Sequence, residues 1–170
     1  MKKAEFWAKE YQRNIGKMVG VCYRYVGDWQ LAEDLAQDAF LAAMEKSSTY
    51  HAWGSFEGWL QKIAVNEALM YLRKRPEMVV ADENLLEQAE EMTEATAEIP
   101  EFTQEDFEEV IRKLDVKQRT VFNLYAVEHC SHKRIAELLN ISVNNSKVLL
   151  NRARAELQVL LKARSIKKGQ

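Results

Sequence analysis

Residues 131–154 read SHKRIAELLNISVNNSKVLLNRAR, and this stretch decides the fold. Ser131 can cap a short helix ahead of a tight turn at Asn140 and Ile141, and Ser142 can cap a second helix after the turn. Apolar residues on both sides of the turn are spaced to pin the two helices together: Ile135, Ile141 and Leu150. Two short helices joined in this way predict a helix-turn-helix.

The polar residues of this motif suit nucleic acid. In a helix-turn-helix, the early turns of the second helix enter the major groove while phosphate contacts hold it there. Asn side chains offer donors and acceptors to base edges, and Lys and Arg suit phosphates. The residues predicted to face base edges are Asn144, Asn145, Ser146 and Lys147, and those predicted to face phosphates are Lys133, Arg134, Arg152 and Arg154. The alternative is a pair of packed helices with a solvated basic face.

Helical periodicity extends through the rest of the chain, which has only two prolines and six glycines in 170 residues. Apolar spacing predicts helices over about 4–26, 30–46, 59–75, 105–114, 117–127, 132–139 and 143–163, with an aromatic loop at 50–58. We therefore expect an all-α protein of two small helical domains. A three-helix domain would occupy residues 1–76, and a four-helix domain containing the helix-turn-helix would occupy residues 104–170.

The formal net charge is −2, but acidic and basic residues are distributed unevenly along the chain. Residues 77–106 hold 11 acidic residues and no Lys or Arg, whereas residues 107–170 hold 13 basic and 6 acidic residues. Such an asymmetry favours a basic, phosphate-seeking domain beside an acidic segment. Because the charge of this segment opposes collapse, we expect residues 77–103 to form a flexible acidic linker.

The sequence lacks the motifs that mark other classes of protein. No phosphate loop, nucleophile elbow, dinucleotide fingerprint or zinc spacing occurs, so we expect no enzyme, no catalytic residue, no metal and no cofactor. Cys22 and Cys130 lie far apart, which favours two thiols in a reducing cytoplasm. The chain has no apolar run near about 18 residues and no signal-peptide core, so we expect a cytoplasmic protein without membrane insertion.

The C-terminal motif resembles region 4 of the extracytoplasmic-function (ECF) sigma factors of bacterial RNA polymerase. The similar stretches are VFNLYAVE (121–128), SHK (131–133), IAELL (135–139), IS (141–142), SK (146–147) and RAR (152–154). The N-terminal half resembles region 2 of the same family through YVGD (25–28), AEDLAQDAF (32–40), GSFEGWL (54–60) and IAVN (63–66). Both sets occur in the family's order and spacing, so the chain is identified as a member of the ECF subfamily of the sigma-70 family.

The resemblance implies a role for each domain. Region 2 of the family binds a coiled coil on the largest polymerase subunit, which assigns core-polymerase binding to Asp34, Gln37, Asp38 and Leu41. Region 2 also recognises and opens the minus-10 promoter element, which assigns minus-10 DNA to Trp53, Phe56, Trp59, Lys62, Asn66 and Arg73. Region 4 reads the minus-35 element as duplex, which assigns minus-35 DNA to Ser131, Lys133, Arg134, Ser142, Asn144, Asn145, Ser146, Lys147, Asn151, Arg152 and Arg154.

The resemblance also implies a function and its partners. It implies an RNA polymerase sigma factor that directs promoter-specific transcription initiation and is monomeric when free. Core RNA polymerase, promoter DNA and an anti-sigma factor would be its partners. The chain departs from the family where His129 and Asn144 stand in place of glycines and Leu149 in place of a polar or basic residue. The alternatives are a helix-turn-helix transcriptional regulator that acts without core polymerase, and an interaction module that binds an anti-sigma factor without using DNA.

Overall fold

The computed structural model describes residues 2–50, 54–78 and 101–169, which form helices and no strand. The chain divides into two compact units, Met1–Arg75 and Pro76–Gln170. Within these described residues, three α-helices belong to the first unit and four to the second, so the predicted all-α fold is confirmed. Trp53 and residues 79–100 of the predicted linker lie outside the described residues.

The first unit is a bundle in which each helix packs against the other two. Its helices are α1 (Lys2–Val26), α2 (Trp29–Glu45) and α3 (Phe56–Arg73). Apolar residues at helical spacing on all three helices fill the core, and the largest fully buried side chains are Met18, Tyr25, Leu60 and Leu69. Small residues on α2 let the helices approach closely, namely Ala32, Ala36, Ala39 and Ala43.

A tight turn joins α1 to α2. Gly27 has a φ of 72°, a conformation that glycine adopts without steric cost, and it ends α1. Asp28 then caps α2, because its carboxylate accepts a hydrogen bond of 3.0 Å from the backbone N–H of Leu31. The ring of Trp29 stacks on that of Tyr23, with centroids 3.8 Å apart. This contact packs the start of α2 against the end of α1.

The start of α3 differs from the prediction of a loop through residue 58. The helix begins at Phe56 because Ser55 caps it, accepting a hydrogen bond of 2.9 Å from the backbone N–H of Gly58. Residues 56–58 are therefore helical. This early start carries Phe56 and Trp59 on one helix face, and their ring centroids lie 5.4 Å apart.

Cys22 is sealed inside the first unit, where its thiol donates to the carbonyl of Ala64 at 3.7 Å. Burial raises the pKa of the Cys22 thiol to about 12, and Glu67 adds to the rise. Only the thiolate is a good nucleophile. We expect iodoacetamide to label Cys22 at least about 100-fold more slowly in the folded chain than in the urea-unfolded chain, as measured by timed alkylation and peptide mass spectrometry.

Cys130, in the second unit, is the internal control for this labelling. It is only partly buried, and it forms no disulfide with Cys22. We expect it to react before Cys22 in the folded chain. Equal labelling rates for the two cysteines under native conditions would contradict the burial of Cys22.

The second unit is organised around its last helix. Its helices are α4 (Gln104–Ile111), α5 (Val116–Phe122), α6 (His132–Leu139) and α7 (Val143–Lys168). Helix α5 continues as a π turn over Asn123–Val127. Helices α4, α5 and α6 each pack against α7. The buried cluster between α4 and α7 consists of Val110, Ile111, Leu114, Ala153, Leu157 and Leu161.

Helix α7 runs beyond the predicted end at about residue 163, to Lys168. An ion pair uses these extra turns. Asp106 forms a capping box with Thr103 at the start of α4 and also accepts a 2.5 Å hydrogen bond from Nε of Arg164 and another from Lys168. Arg164 and Lys168 hold the pKa of the Asp106 carboxyl far below its usual range, and Asp106 in turn raises the pKa of Arg164. These contacts join the start of α4 to the end of α7.

Two residues other than glycine in the described part of the second unit have left-handed backbone conformations, His129 at φ 57° and Asn140 at φ 55°. Asn140 ends α6 and His129 follows the π turn. Asn144, the other position at which the family has glycine, is helical and places no such demand on the backbone. The backbone therefore explains a glycine preference at residue 129 but not at residue 144.

Replacing His129 by glycine is expected to stabilise the second unit by about 1 kcal/mol, because glycine adopts a positive φ without the clash of a Cβ atom. The measurement is native-state hydrogen exchange of the buried Ile135 and Leu150 amides. Asn140→Gly is the matched control, and it should gain less because asparagine tolerates this conformation well. If neither variant exchanges more slowly than wild type, or if only Asn140→Gly does, the backbone at residue 129 is not strained.

Candidate DNA-binding and polymerase-binding surfaces

Helices α6 and α7 form the predicted helix-turn-helix. Ser131 accepts a hydrogen bond of 3.1 Å from the backbone N–H of Arg134, and Ser142 accepts one of 3.0 Å from the backbone N–H of Asn145, so both predicted caps are confirmed. The turn closes where the N–H of Ile141 donates to the carbonyl of Ala136 at 3.1 Å. The predicted apolar pins are buried at Ile135 and Leu150 and partly buried at Ile141.

Most of the side chains predicted to meet minus-35 DNA lie at the surface of this motif. Those exposed are Ser131, Lys133, Arg134, Ser142, Asn144, Lys147 and Arg154, and those partly buried are Asn145, Asn151 and Arg152. Asn144 and Lys147 lie three residues apart at the start of α7, so they share a face beside the Ser142 cap. The motif therefore presents amide and cationic groups together, as the binding of base edges and phosphates requires. Their contacts with DNA stay predictions.

Ser146 is placed differently from the prediction. Its side chain is fully buried, with 0% exposed, and its Oγ lies 2.8 Å from Nδ1 of His132. Ser146 therefore faces α6 and not a base edge, which corrects the prediction for this residue. Leu149 is also buried, with 4% exposed. Helix α7 thus turns residues 146 and 149 toward the protein and leaves residues 144 and 147 outside.

His132 and Tyr125 join this site although sequence reasoning assigned them no role. Their rings stack with centroids 4.8 Å apart, and the guanidinium carbon of Arg154 lies 5.5 Å from the Tyr125 ring centroid. Burial lowers the pKa of His132, and the charges of Lys147 and Arg154 lower it further. These effects favour the neutral form of the ring.

Four predicted polymerase contacts lie along one face of α2 in the first unit. Asp34 lies three and four residues before Gln37 and Asp38, and Leu41 lies four and three residues after them, so the four share one helix face, and all four are exposed. Leu41 is 58% exposed, which is unusual for a large apolar side chain on a helix that packs on two others. Gln37 and Leu41 also border a groove of about 590 Å³ between α1 and α2, lined mainly by Trp7, Tyr11, Phe40 and Met44. The face is acidic and amide-bearing, with an apolar margin.

The predicted minus-10 residues fall into two groups around the start of α3. Phe56 and Trp59 are partly buried in an aromatic cluster with Tyr50, whose ring centroid lies 5.3 Å from each of theirs. Lys62, Asn66 and Arg73 are exposed and share one face of α3. A cavity of about 360 Å³ lies between the groups, lined by Thr49, Tyr50, Gly54, Ser55, Gly58, Trp59 and Lys62. Aromatic and cationic groups thus meet at one opening.

The second unit carries a helix-turn-helix with an amide and cationic surface, and the first unit carries an acidic face and an aromatic cavity. These features together define a helical DNA-binding protein of transcription. The Sigma-70 region 2 model matches residues 10–76, and the Sigma-70 region 4 model matches residues 104–157. The chain belongs to the ECF sigma factors of the sigma-70 family. It is an RNA polymerase sigma factor for promoter-specific initiation, and a regulator that works without polymerase is not favoured.

Relatives of this chain carry the same family name. It is 30% identical over 164 residues to the ECF RNA polymerase sigma factor SigW of Bacillus subtilis, covering 86% of this chain and 83% of SigW. It is 30% identical over 154 residues to SigM of the same organism, covering 88% of this chain and 91% of SigM. Sigma factors are a non-enzymatic family, so the prediction that the chain is not an enzyme is confirmed.

A solved structure has the same fold. It is the sigma factor RpoE in complex with the anti-sigma factor NepR from Bartonella quintana, with a TM-score of 0.53 and 22% identity, covering 93% of this chain and 98% of RpoE. Within the described parts of the chain, no helix has the length and apolar character needed to cross a membrane.

Proposed function

We propose that the two units divide promoter recognition between them. The first unit, residues 1–76, binds core polymerase and the minus-10 element, and the second, residues 104–170, docks on the minus-35 duplex. Residues 77–103 serve as the acidic linker between them. The observation that carries this division is the exposed, Ser142-capped start of α7, which presents Asn144 and Lys147 in a unit that matches region 4.

The α2 face supports the assignment of polymerase binding to the first unit. Asp34 and Asp38 are exposed carboxylates one helical turn apart, with Gln37 between them, and such a face complements a basic coiled coil. Leu41 extends the face with an apolar side chain that a helical partner can bury.

The aromatic cavity at the start of α3 supports minus-10 binding. Single-stranded DNA needs rings on which bases stack and cations for its phosphates. Tyr50 and Trp59 supply rings at the cavity, and Lys62 supplies a cation at its rim. Asn66 and Arg73 continue the polar face along α3 and would follow the strand away from the cavity. Trp53 and Phe56 are proposed to complete the stacking surface.

The remaining proposals concern partners and location. We infer that an anti-sigma factor holds the chain inactive, as the solved relative's complex with NepR suggests by analogy. The free chain is proposed to be monomeric and to act in the cytoplasm, where RNA polymerase transcribes.

In vitro transcription tests the proposed function. The full chain is mixed with bacterial core polymerase and a promoter library, and the transcripts are sequenced. We expect starts at promoters that share a minus-35 and a minus-10 block, with no such starts from core polymerase alone. If the chain binds DNA but neither associates with polymerase nor changes the start sites, the regulator alternative is correct instead.

Two alanine substitutions should separate base reading from phosphate binding. Asn144→Ala is expected to lose about 1–3 kcal/mol of discrimination at one base pair of the minus-35 block. Lys133→Ala should weaken binding to all sequences equally and lower the salt slope by about one. The measurement is holoenzyme binding to promoters with each minus-35 base pair changed, at several salt concentrations. Equal effects of Asn144→Ala on every sequence would argue against base reading by this residue.

A further inference from the structure

Four side chains form a continuous contact ladder across the helix-turn-helix, which we call the His132 ladder. The guanidinium carbon of Arg154 lies 5.5 Å from the ring centroid of Tyr125, the Tyr125 ring stacks on that of His132 at 4.8 Å, and Nδ1 of His132 lies 2.8 Å from Oγ of Ser146. The ladder joins the π turn after α5, the first residue of α6 and the first turns of α7. His132 is one of its two inner members and contacts both the π turn, through Tyr125, and α7, through Ser146.

The last contact of the ladder is buried. Ser146 has no exposed surface, so the imidazole of His132 supplies a partner that water cannot replace. Burial together with the nearby charges of Lys147 and Arg154 lowers the pKa of His132, which favours the neutral ring. A neutral imidazole has one N–H and one acceptor nitrogen, and either form of Nδ1 can pair with a hydroxyl.

Ser146 lies between the residues proposed to read bases. Asn144 and Asn145 precede it and Lys147 follows it, all within about one turn of α7. Neighbouring helical residues point about 100° apart, so fixing the direction of Ser146 fixes the directions of the other three. A bond from α6 to this one side chain therefore controls which groups of α7 face outward.

We propose that His132 is a positioning residue for promoter recognition, because its bond to Ser146 fixes the rotation of α7 and aims Asn144 and Lys147 at the minus-35 bases. The proposal rests on the proposed docking of α7 on minus-35 duplex. Under this proposal, minus-35 discrimination and phosphate binding respond differently to a change at His132, whereas loss of an ordinary packing residue would weaken both. Loss of the bond should reduce discrimination among minus-35 sequences, whereas phosphate contacts from flexible side chains tolerate a small rotation.

The test uses holoenzyme made with the full chain and a promoter taken from the transcription library. Discrimination is the affinity for that promoter divided by the affinity for the same promoter with its minus-35 block scrambled. His132→Phe keeps an aromatic ring but removes Nδ1, and Ser146→Ala removes the hydroxyl while keeping a strong helix former. Both variants are expected to lower minus-35 discrimination about tenfold, which corresponds to about 1.4 kcal/mol. Discrimination against a scrambled minus-10 block should be unchanged.

Two further variants separate positioning from general stability. His132→Asn keeps a polar atom one bond beyond Cγ, as Nδ1 is, and should retain most of the discrimination. Leu161→Ala removes a buried side chain near the far end of α7 and should destabilise the unit without changing discrimination. Loss of discrimination in Leu161→Ala to the same extent as in Ser146→Ala would overturn the positioning role, and so would equal loss in His132→Asn and His132→Phe.

Failure of the inference differs from failure of the proposed function. If wild-type holoenzyme discriminates between minus-35 blocks and Ser146→Ala discriminates equally well, His132 is only a packing residue. If the wild type itself shows no minus-35 preference, the proposed docking of α7 is wrong and the positioning role is overturned with it.

Discussion

Replacing Asp38 by lysine is expected to weaken the binding of core RNA polymerase by about 100-fold, because in the proposed docking of α2 it places a like charge against a basic coiled coil at a cost of several kcal/mol. Asp38 is exposed in the middle of α2, so the change should leave the fold of the first unit intact. The measurement is equilibrium binding of labelled full-length chain to core polymerase, with circular dichroism to verify the helix content.

Glu5→Lys is the matched control for this prediction. Glu5 is also exposed, lies in the first turn of α1, and gives the same change in net charge. Polymerase binding by this variant should stay within about twofold of wild type, because isolated surface charges contribute little. Equal weakening by both variants would mean that net charge, and not the α2 face, governs association.

Replacing Ile111 by aspartate is expected to unfold the second unit and leave the first unit folded. Ile111 has no exposed surface and belongs to the buried cluster between α4 and α7. An unpaired carboxylate there costs on the order of 5 kcal/mol, which is most of the stability of a small domain, about 5–10 kcal/mol. Specific binding to the minus-35 block should be lost with the fold of this unit.

The four tryptophans make the outcome of this substitution measurable, because all of them lie in the first unit. Tryptophan fluorescence should report an unchanged thermal transition while circular dichroism shows loss of the second unit's helices. Ile111→Val is the control and should cost only about 1 kcal/mol. A variant in which fluorescence and circular dichroism change together would show that the two units do not fold separately.

The helices were predictable from the sequence because local chemistry marks their ends. Asp28, Thr103, Ser131 and Ser142 are capping residues in the sequence, and each accepts the backbone hydrogen bond that its helix start requires. The start of α3 was missed because Gly54, Gly58 and the surrounding aromatic residues favour a loop when the Ser55 cap is overlooked. The end of α7 was missed because its last turns carry charged residues that pair with α4.

The details of the DNA-binding surface were less predictable. Ser146 and Leu149 cannot be assigned to the inner face of α7 from spacing alone, since polar and apolar residues alternate irregularly from Val143 to Leu150. The stacking of Tyr125 on His132 depends on a π turn, which inserts an extra residue into α5 and has no sequence signature of its own. The exposed faces of α2 and α3, by contrast, follow directly from helical spacing.

The ion pair at the end of α7 bears on how fragments of this protein are made. The region 4 match stops at residue 157, yet Arg164 and Lys168 both contact Asp106, which has only 5% of its surface exposed. A gene trimmed at the family boundary would encode a recognition module whose first helix keeps a buried carboxylate and loses both of its cations. Expression fragments of the C-terminal half should therefore continue through Lys168.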